Sequence, residues 1–198
     1  LLENFTGFLE NKERVKSYIL ATGITFWWSL IYIYIPLLII KSLEDFWVGI
    51  FLGFVTIPLI LGEYKFGKIA DKKGYRNLFF IGFLIPAMIT LLCFFFYNSI
   101  FFIIISLALA SVGLAMIESN SEAYFFKVNN DKEEQRYYSP FKTSIETGHF
   151  LGQMLPAIIL LFLPFKFIFL FFFAGMLFFS FLALSIRKTV ETTNKFKE

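Results

Sequence analysis

From Asn77 to Ile117 the chain carries no charged residue. A short Tyr97–Asn98–Ser99 break divides this stretch into two apolar runs. The hydrocarbon core of a bilayer is about 30 Å thick, and a helix needs about 20 residues to cross it. Each run is long enough, and three polar residues between them suffice for a tight turn at a membrane surface. The rest of the chain is built alike: 58% of its 198 residues are hydrophobic, and 30 are phenylalanine. Soluble domains average about 45–50% apolar residues. A single soluble core cannot hide this much apolar surface, so lipid is the expected solvent.

Six candidate spans follow, at 17–40, 45–64, 78–97, 99–122, 140–163 and 165–187. Helices are expected because open strands leave backbone groups unpaired in lipid. The fold class is therefore all-α integral membrane, with six transmembrane helices in one bundle over 17–187. A lead, 1–16, reads either as an interfacial helix, with Phe5, Phe8 and Leu9 on it, or as a solvated tail. Residues 188–198 read as a charged tail. Ser139 and Pro140 suit the cap and first position of the fifth helix.

Of 18 lysines and arginines, all but Lys41 and Lys166 fall on one side of this layout. The positive-inside rule then puts both termini in the cytoplasm, most simply of a plasma (inner) membrane. The same rule accounts for the basic pI, so no nucleic-acid partner is implied. With one cysteine, Cys93, and one histidine, His149, neither a disulfide nor a His/Cys metal site is expected, and no cofactor motif is present. The absence of HExxH and P-loop patterns argues against an enzyme or an ATP-driven pump.

Between the second and third spans lies "GKIADKKGYRNLF", residues 67–79. Its spacing, Gly67, Asp71, Lys72, Gly74 and Arg76, resembles the signature loop of the major facilitator superfamily of transporters, G-x-L-A-D-R-x-G-R-R. That loop joins the second and third helices of a six-helix half on the cytoplasmic side, where it falls here. The resemblance implies secondary transport of a small solute by alternating access. It also implies a conformational latch, with Asp71 meeting the start of the fifth helix near Ser139–Pro140. The glycines are expected to permit tight turning and close helix approach. Two features depart from the family pattern: Tyr75 stands where arginine often follows the second glycine, and the fourth span has no arginine. The family's C-terminal half tolerates both, so the resemblance implies that half of a twelve-helix protein. An N-terminal half or a dimerising six-helix protein is the alternative, and the other half, in the same chain or a dimer, is the implied partner. A non-transporting relative, such as an assembly factor or scaffold, is the competing function.

Polar residues inside spans mark solute pathways by default. Tyr18, Thr22, Thr25, Ser29 and Tyr32 recur at helical spacing along one face of the first span. They read as cavity lining or as interhelical hydrogen-bonding groups. Gln153 on the fifth span is a further lining candidate, and Gly148 and Gly152 there permit close helix contact. Glu118 and Glu122, then Glu146 and His149, form spaced pairs suited to charge pairing or proton coupling. Glu63 reads as an interfacial anchor.

Overall fold

The computed structural model of the chain describes residues 2–187. The charged tail expected at 188–198 lies outside the described residues, as does the side chain of Glu63. Helix α1 is Leu2–Leu9 and α2 is Lys12–Ser29. A π-helical turn, Leu30–Tyr34, then leads without a break into α3, Ile35–Ser42. Together these make a continuous first span, Lys12–Ser42. After it come α4, Phe46–Lys73, α5, Tyr75–Phe95, α6, Ile100–Val128, α7, Asp131–Phe162, and α8, Phe167–Ala183. Among the described residues there is no strand.

Four of these helices are long and apolar enough to cross a membrane: Lys12–Ser42, α5, α6 and α7. A fifth is α4, if its two parts, bent by 48° between Gly62 and Tyr64, count as one span. The bend lies about one turn beyond Pro58, whose ring removes a backbone donor. Helix α8 is apolar throughout but shorter, at 17 residues.

Several helices outrun the apolar windows read from sequence. Helix α6 has 29 residues and α7 has 32, so each is roughly 45 Å long, well beyond the hydrocarbon core. Hydropathy marks where a helix meets lipid, not where its hydrogen bonding ends. The fifth long helix therefore does not begin at Ser139–Pro140. It begins at Asp131, behind a capping box in which Asn130 accepts from the Glu133 N–H and Glu133 accepts from the Asn130 N–H. Pro140 is inside the helix and buried. Likewise the first span begins at Lys12, where Asn11 caps the N–H groups of Glu13 and Arg14.

Helix α2 packs on α7, α4 on α6 and α5 on α8; α2 also meets α6 and α8, and α5 meets α6. Exchanging α2 with α6, α4 with α7 and α5 with α8 leaves this set of pairings unchanged. That is the contact pattern of two similarly packed three-helix units. The α2–α7 seam is the tightest. A Cβ on Gly148 would lie 1.9 Å from Thr25 Oγ1 and 2.4 Å from the Thr22 carbonyl oxygen, and one on Gly152 would lie 2.6 Å from Ser29 Oγ. Only glycine lets these backbones approach so closely. The core is largely aromatic: Trp27, Phe83 and Phe172 are fully buried, with Phe26 and Phe172 ring centroids 4.6 Å apart.

Candidate functional site

The outer faces of α4, α5 and α8 are apolar, with Ile60, Leu61, Phe95 and Phe181 exposed, as lipid requires. The exposed polar side chains at span depth come from other helices. Tyr32 on the first span, Glu118 on α6, and Glu146 and Gln153 on α7 are all exposed. Helix α7 is the least enclosed of the four long apolar helices, with 17% of its apolar window buried against 67% for the first span. An open side thus runs along the first span, α6 and α7, on which these polar groups lie among exposed apolar ones such as Phe150 and Met154.

A cleft of about 170 Å³ opens on this side, lined by Thr25, Glu118, Ser121, Glu122, Lys142 and Ser144 among others. Glu122 accepts hydrogen bonds from the Lys142 ammonium and, at 3.4 Å, from the Tyr138 hydroxyl. Of the two kinds of partner expected for it, Arg76 or a nearby lysine, it takes a lysine, on α7; the Arg76 Nε is buried without a hydrogen-bond partner. Thr25 Oγ1 donates to the carbonyls of Thr22 and Ser144, at 3.2 and 3.4 Å. The Ser144 hydroxyl is buried and has no hydrogen-bond partner. Glu118 lies one turn before Glu122 and ten residues before the end of α6, roughly 15 Å from that end along the helix.

The stripe on the first span divides. Thr22 and Ser29 are buried in the seam with α7 and donate back to their own helix, to the carbonyls of Tyr18 and Thr25. Tyr18 shares a 2.6 Å hydrogen bond with Thr147 of α7. Thr25 reaches the cleft, and Tyr32, stacked on Trp28 at 5.0 Å, faces outward. Gln153 points its side chain outward while its backbone carbonyl accepts from the Tyr34 hydroxyl at the end of the π-turn. Glu146 and His149 share no hydrogen bond; the His149 Nδ1 is buried without one.

The Gly67–Phe79 segment is mostly helix. Helix α4 continues through Gly67, Asp71 and the exposed Lys72 to Lys73, and the chain turns only at Gly74, with φ 84°. That backbone favours glycine. Gly67 does not turn the chain, and nothing lies within 4 Å of a Cβ placed on it. Asp71 accepts from Lys127 at the end of α6, at 2.6 Å, with the Lys127 ammonium also 5.0 Å from the buried Tyr75 ring. In this conformation its partner is the end of α6, not the start of α7.

Sequence reading missed Arg14, which it counted only as one charge among many. Its guanidinium is buried and donates to Asn129 Oδ1 at 2.7 Å, the Gly7 carbonyl at 2.8 Å and Glu133 at 3.0 Å. It also lies 3.9 Å from the Tyr137 ring centroid. This pins α1 and the α6–α7 turn to the base of the first span. Next to it, Glu13 accepts from Lys16 and Tyr124, at 2.8 and 2.6 Å. The visible signal was Asn130 three residues before Glu133, a capping pattern; nothing marked Arg14 itself. The π-turn was also missed, although Pro36 inside a span was a warning that the hydrogen-bond ladder changes there.

Among the described residues no cluster of His, Cys, Asp and Glu side chains is arranged to hold a metal ion. The family model described as Major Facilitator Superfamily matches residues 17–198. No curated protein and no solved structure matches the chain.

Proposed function

Because the chain belongs to the major facilitator superfamily, we propose that it forms one six-helix half of a secondary transporter that moves a small solute by alternating access. The carrying observation is the open side with polar groups at span depth. A carboxylate at the centre of a bilayer costs at least about 2.5–3.5 kcal/mol, so such residues face water or a protein partner. Glu118 and Glu146 are exposed within an otherwise lipid-compatible surface. An aqueous path bounded by a second six-helix half gives both of them a polar environment.

The remaining parts fit the same reading. Helix α8 serves as a sixth span, since 17 residues reach roughly 25 Å and flanking residues take up the mismatch. The Lys- and Arg-rich end carrying the α4–α5 and α6–α7 turns faces the cytoplasm of a plasma (inner) membrane, together with both termini. The Asp71–Lys127 pair ties α4 to α6 in this conformation and serves as the latch. A latch matters only if it favours one state over the other.

Flux tests the reading. Purified full-length protein in proteoliposomes, offered a panel of labelled small solutes, is expected to carry at least one in a saturable manner. No saturable flux of any solute, from protein that is folded and inserted, would favour the non-transporting alternative.

A further inference from the structure

One face of α4 changes character along its length. Phe54, Ile57 and Leu61 are exposed on it, then Tyr64, then Lys68 and Lys72 with Lys65 beside them. Steps of three and four residues keep these side chains on a single helical stripe. Their order is hydrocarbon, aromatic ring, ammonium. A helix leaving a bilayer meets acyl chains, then the interface where aromatic rings gather, then the headgroups.

The bend in α4 holds the basic part near that boundary. Beyond Gly62 the helix turns by 48°, so Tyr64–Lys73 leans away from the axis of the span. A straight continuation would carry Lys72 about 12 Å past Tyr64 along that axis. Leaning by 48°, it advances only about two thirds as far, roughly 8 Å. That is about one Debye length at physiological ionic strength, and lysine stems can reach back across it.

The charges of this segment are largely unanswered within the chain. Lys65, Lys68, Lys72 and Lys73 are exposed, and none of them is in an ion pair among the described residues. The Lys68 ammonium lies 4.3 Å from the Tyr64 ring, a contact that leaves its charge uncompensated. The acid of the segment, Asp71, is already paired with Lys127. Glu63 precedes it and, counted in full, still leaves a surplus of positive charge. An acidic soluble partner could answer the lysines, but it has no use for the exposed Ile57, Leu61 and Tyr64 that lead into them. A lipid answers both.

We propose that the bent end of α4 is a docking surface for anionic phospholipid, with Lys65, Lys68 and Lys72 on the phosphate groups and Tyr64 at the level of the interface. The surface belongs to α4 and does not depend on the solute path.

A dye on Gly67→Cys tests it, in the full-length protein in phosphatidylcholine vesicles holding a minor fraction of phosphatidylglycerol. Nothing lies within 4 Å of a Cβ at Gly67, and Cys93 is buried, so the dye goes to one place. Spin-labelled phosphatidylglycerol and spin-labelled phosphatidylcholine, at equal trace fractions, are compared as quenchers. The anionic lipid is expected to quench at least about threefold more strongly, since each lysine near the surface enriches it several-fold. At about 1 M salt, where the Debye length falls to about 3 Å, the ratio is expected to approach one. Lys65→Gln, Lys68→Gln and Lys72→Gln together should remove the preference, and arginine at the same three positions should keep it. Glutamine at Lys12, Lys132 and Lys195 removes as much charge elsewhere and should leave the ratio unchanged. Cys93 staying unreactive shows that each variant is folded. Equal quenching by the two lipids overturns the inference, as does a preference that survives the α4 glutamines. An equal loss in the Lys12, Lys132 and Lys195 variant overturns it too, because the preference then comes from diffuse charge and not from α4.

Discussion

Replacing Arg14 with methionine keeps an apolar stem in place and removes the guanidinium. Three hydrogen bonds disappear, to Asn129, Gly7 and Glu133, with a ring contact to Tyr137. Bonds involving a charged group are worth about 1.5–3 kcal/mol each when their partners are left unsatisfied. Breaking a fully buried ion pair costs about 3–5 kcal/mol. Here only one partner is buried: the Arg14 side chain is 3% exposed and that of Glu133 is 37%, so water can resolvate the carboxylate. A net loss of about 2–3 kcal/mol is therefore expected. For a chain of this length, 1 kcal/mol corresponds to about 2–4 °C in Tm, so the shift should be roughly 4–12 °C downward. Cys93 supplies the assay, because it is the only cysteine and is fully buried. A thiol-reactive dye that fluoresces on coupling reports its exposure during heating. Limited proteolysis supplies a local readout: cleavage near residues 1–11 should accelerate even below the transition. Arg14→Met with unchanged Tm and unchanged cleavage would refute the reasoning, and Arg14 would be only a cytoplasmic charge.

Glycine positions separate seam from surface. Gly148→Ala places a methyl against the Thr25 hydroxyl and the Thr22 backbone and should lower the dye-reported Tm clearly. Gly67→Ala, with open space around it, should leave Tm unchanged or raise it, by up to about 1 kcal/mol of helix stabilisation. A reversed order would mean the α2–α7 seam is looser than described. Asp71→Asn removes one end of a surface ion pair, with Asp71 64% exposed, so the expected effect is within about 1 kcal/mol, at most a fivefold shift between conformations. Flux and two-sided cysteine accessibility measure that shift, and a much larger one would mean that Asp71 has another partner in the second conformation. Cysteines at Asn98 and Lys195 should label from opposite faces of the membrane; labelling from one face contradicts the expected orientation.

Much of the architecture was legible because lipid imposes a simple rule on long apolar runs. The centres of all six expected spans fall within α-helices of the structure. Their ends were not legible, because nothing polar needs to stop a helix. Glu133, Gln135 and Arg136 continue α7 well before Pro140, and Lys65, Lys68 and Lys72 continue α4 into the motif. For the same reason Gly67 was allowed a turn that it does not make, while Gly74, with its positive φ, makes one. Helical spacing grouped Tyr18, Thr22, Thr25, Ser29 and Tyr32. It could not tell that the seam with Gly148 and Gly152 would bury Thr22 and Ser29 while Thr25 still reaches the cleft and Tyr32 faces outward. Tertiary partners were the least visible. The pairing of Glu122 with Lys142, and of Asp71 with Lys127, depends on which helices become neighbours, and no local pattern specifies that.

The central claim is that one open side of this bundle lines a path that opens alternately to the two faces of the membrane. A single cysteine at Gln153, on the exposed side of α7, tests it most directly. A membrane-impermeant thiol reagent is applied to the full-length protein in vesicles of both orientations, with Leu61→Cys on the apolar outer face as the control. The account predicts that Gln153→Cys labels from both sides in separate experiments, while the vesicles remain tight to the reagent, and that Leu61→Cys labels from neither. Labelling of Gln153→Cys from one side only, or at the same rate as Leu61→Cys, would contradict it.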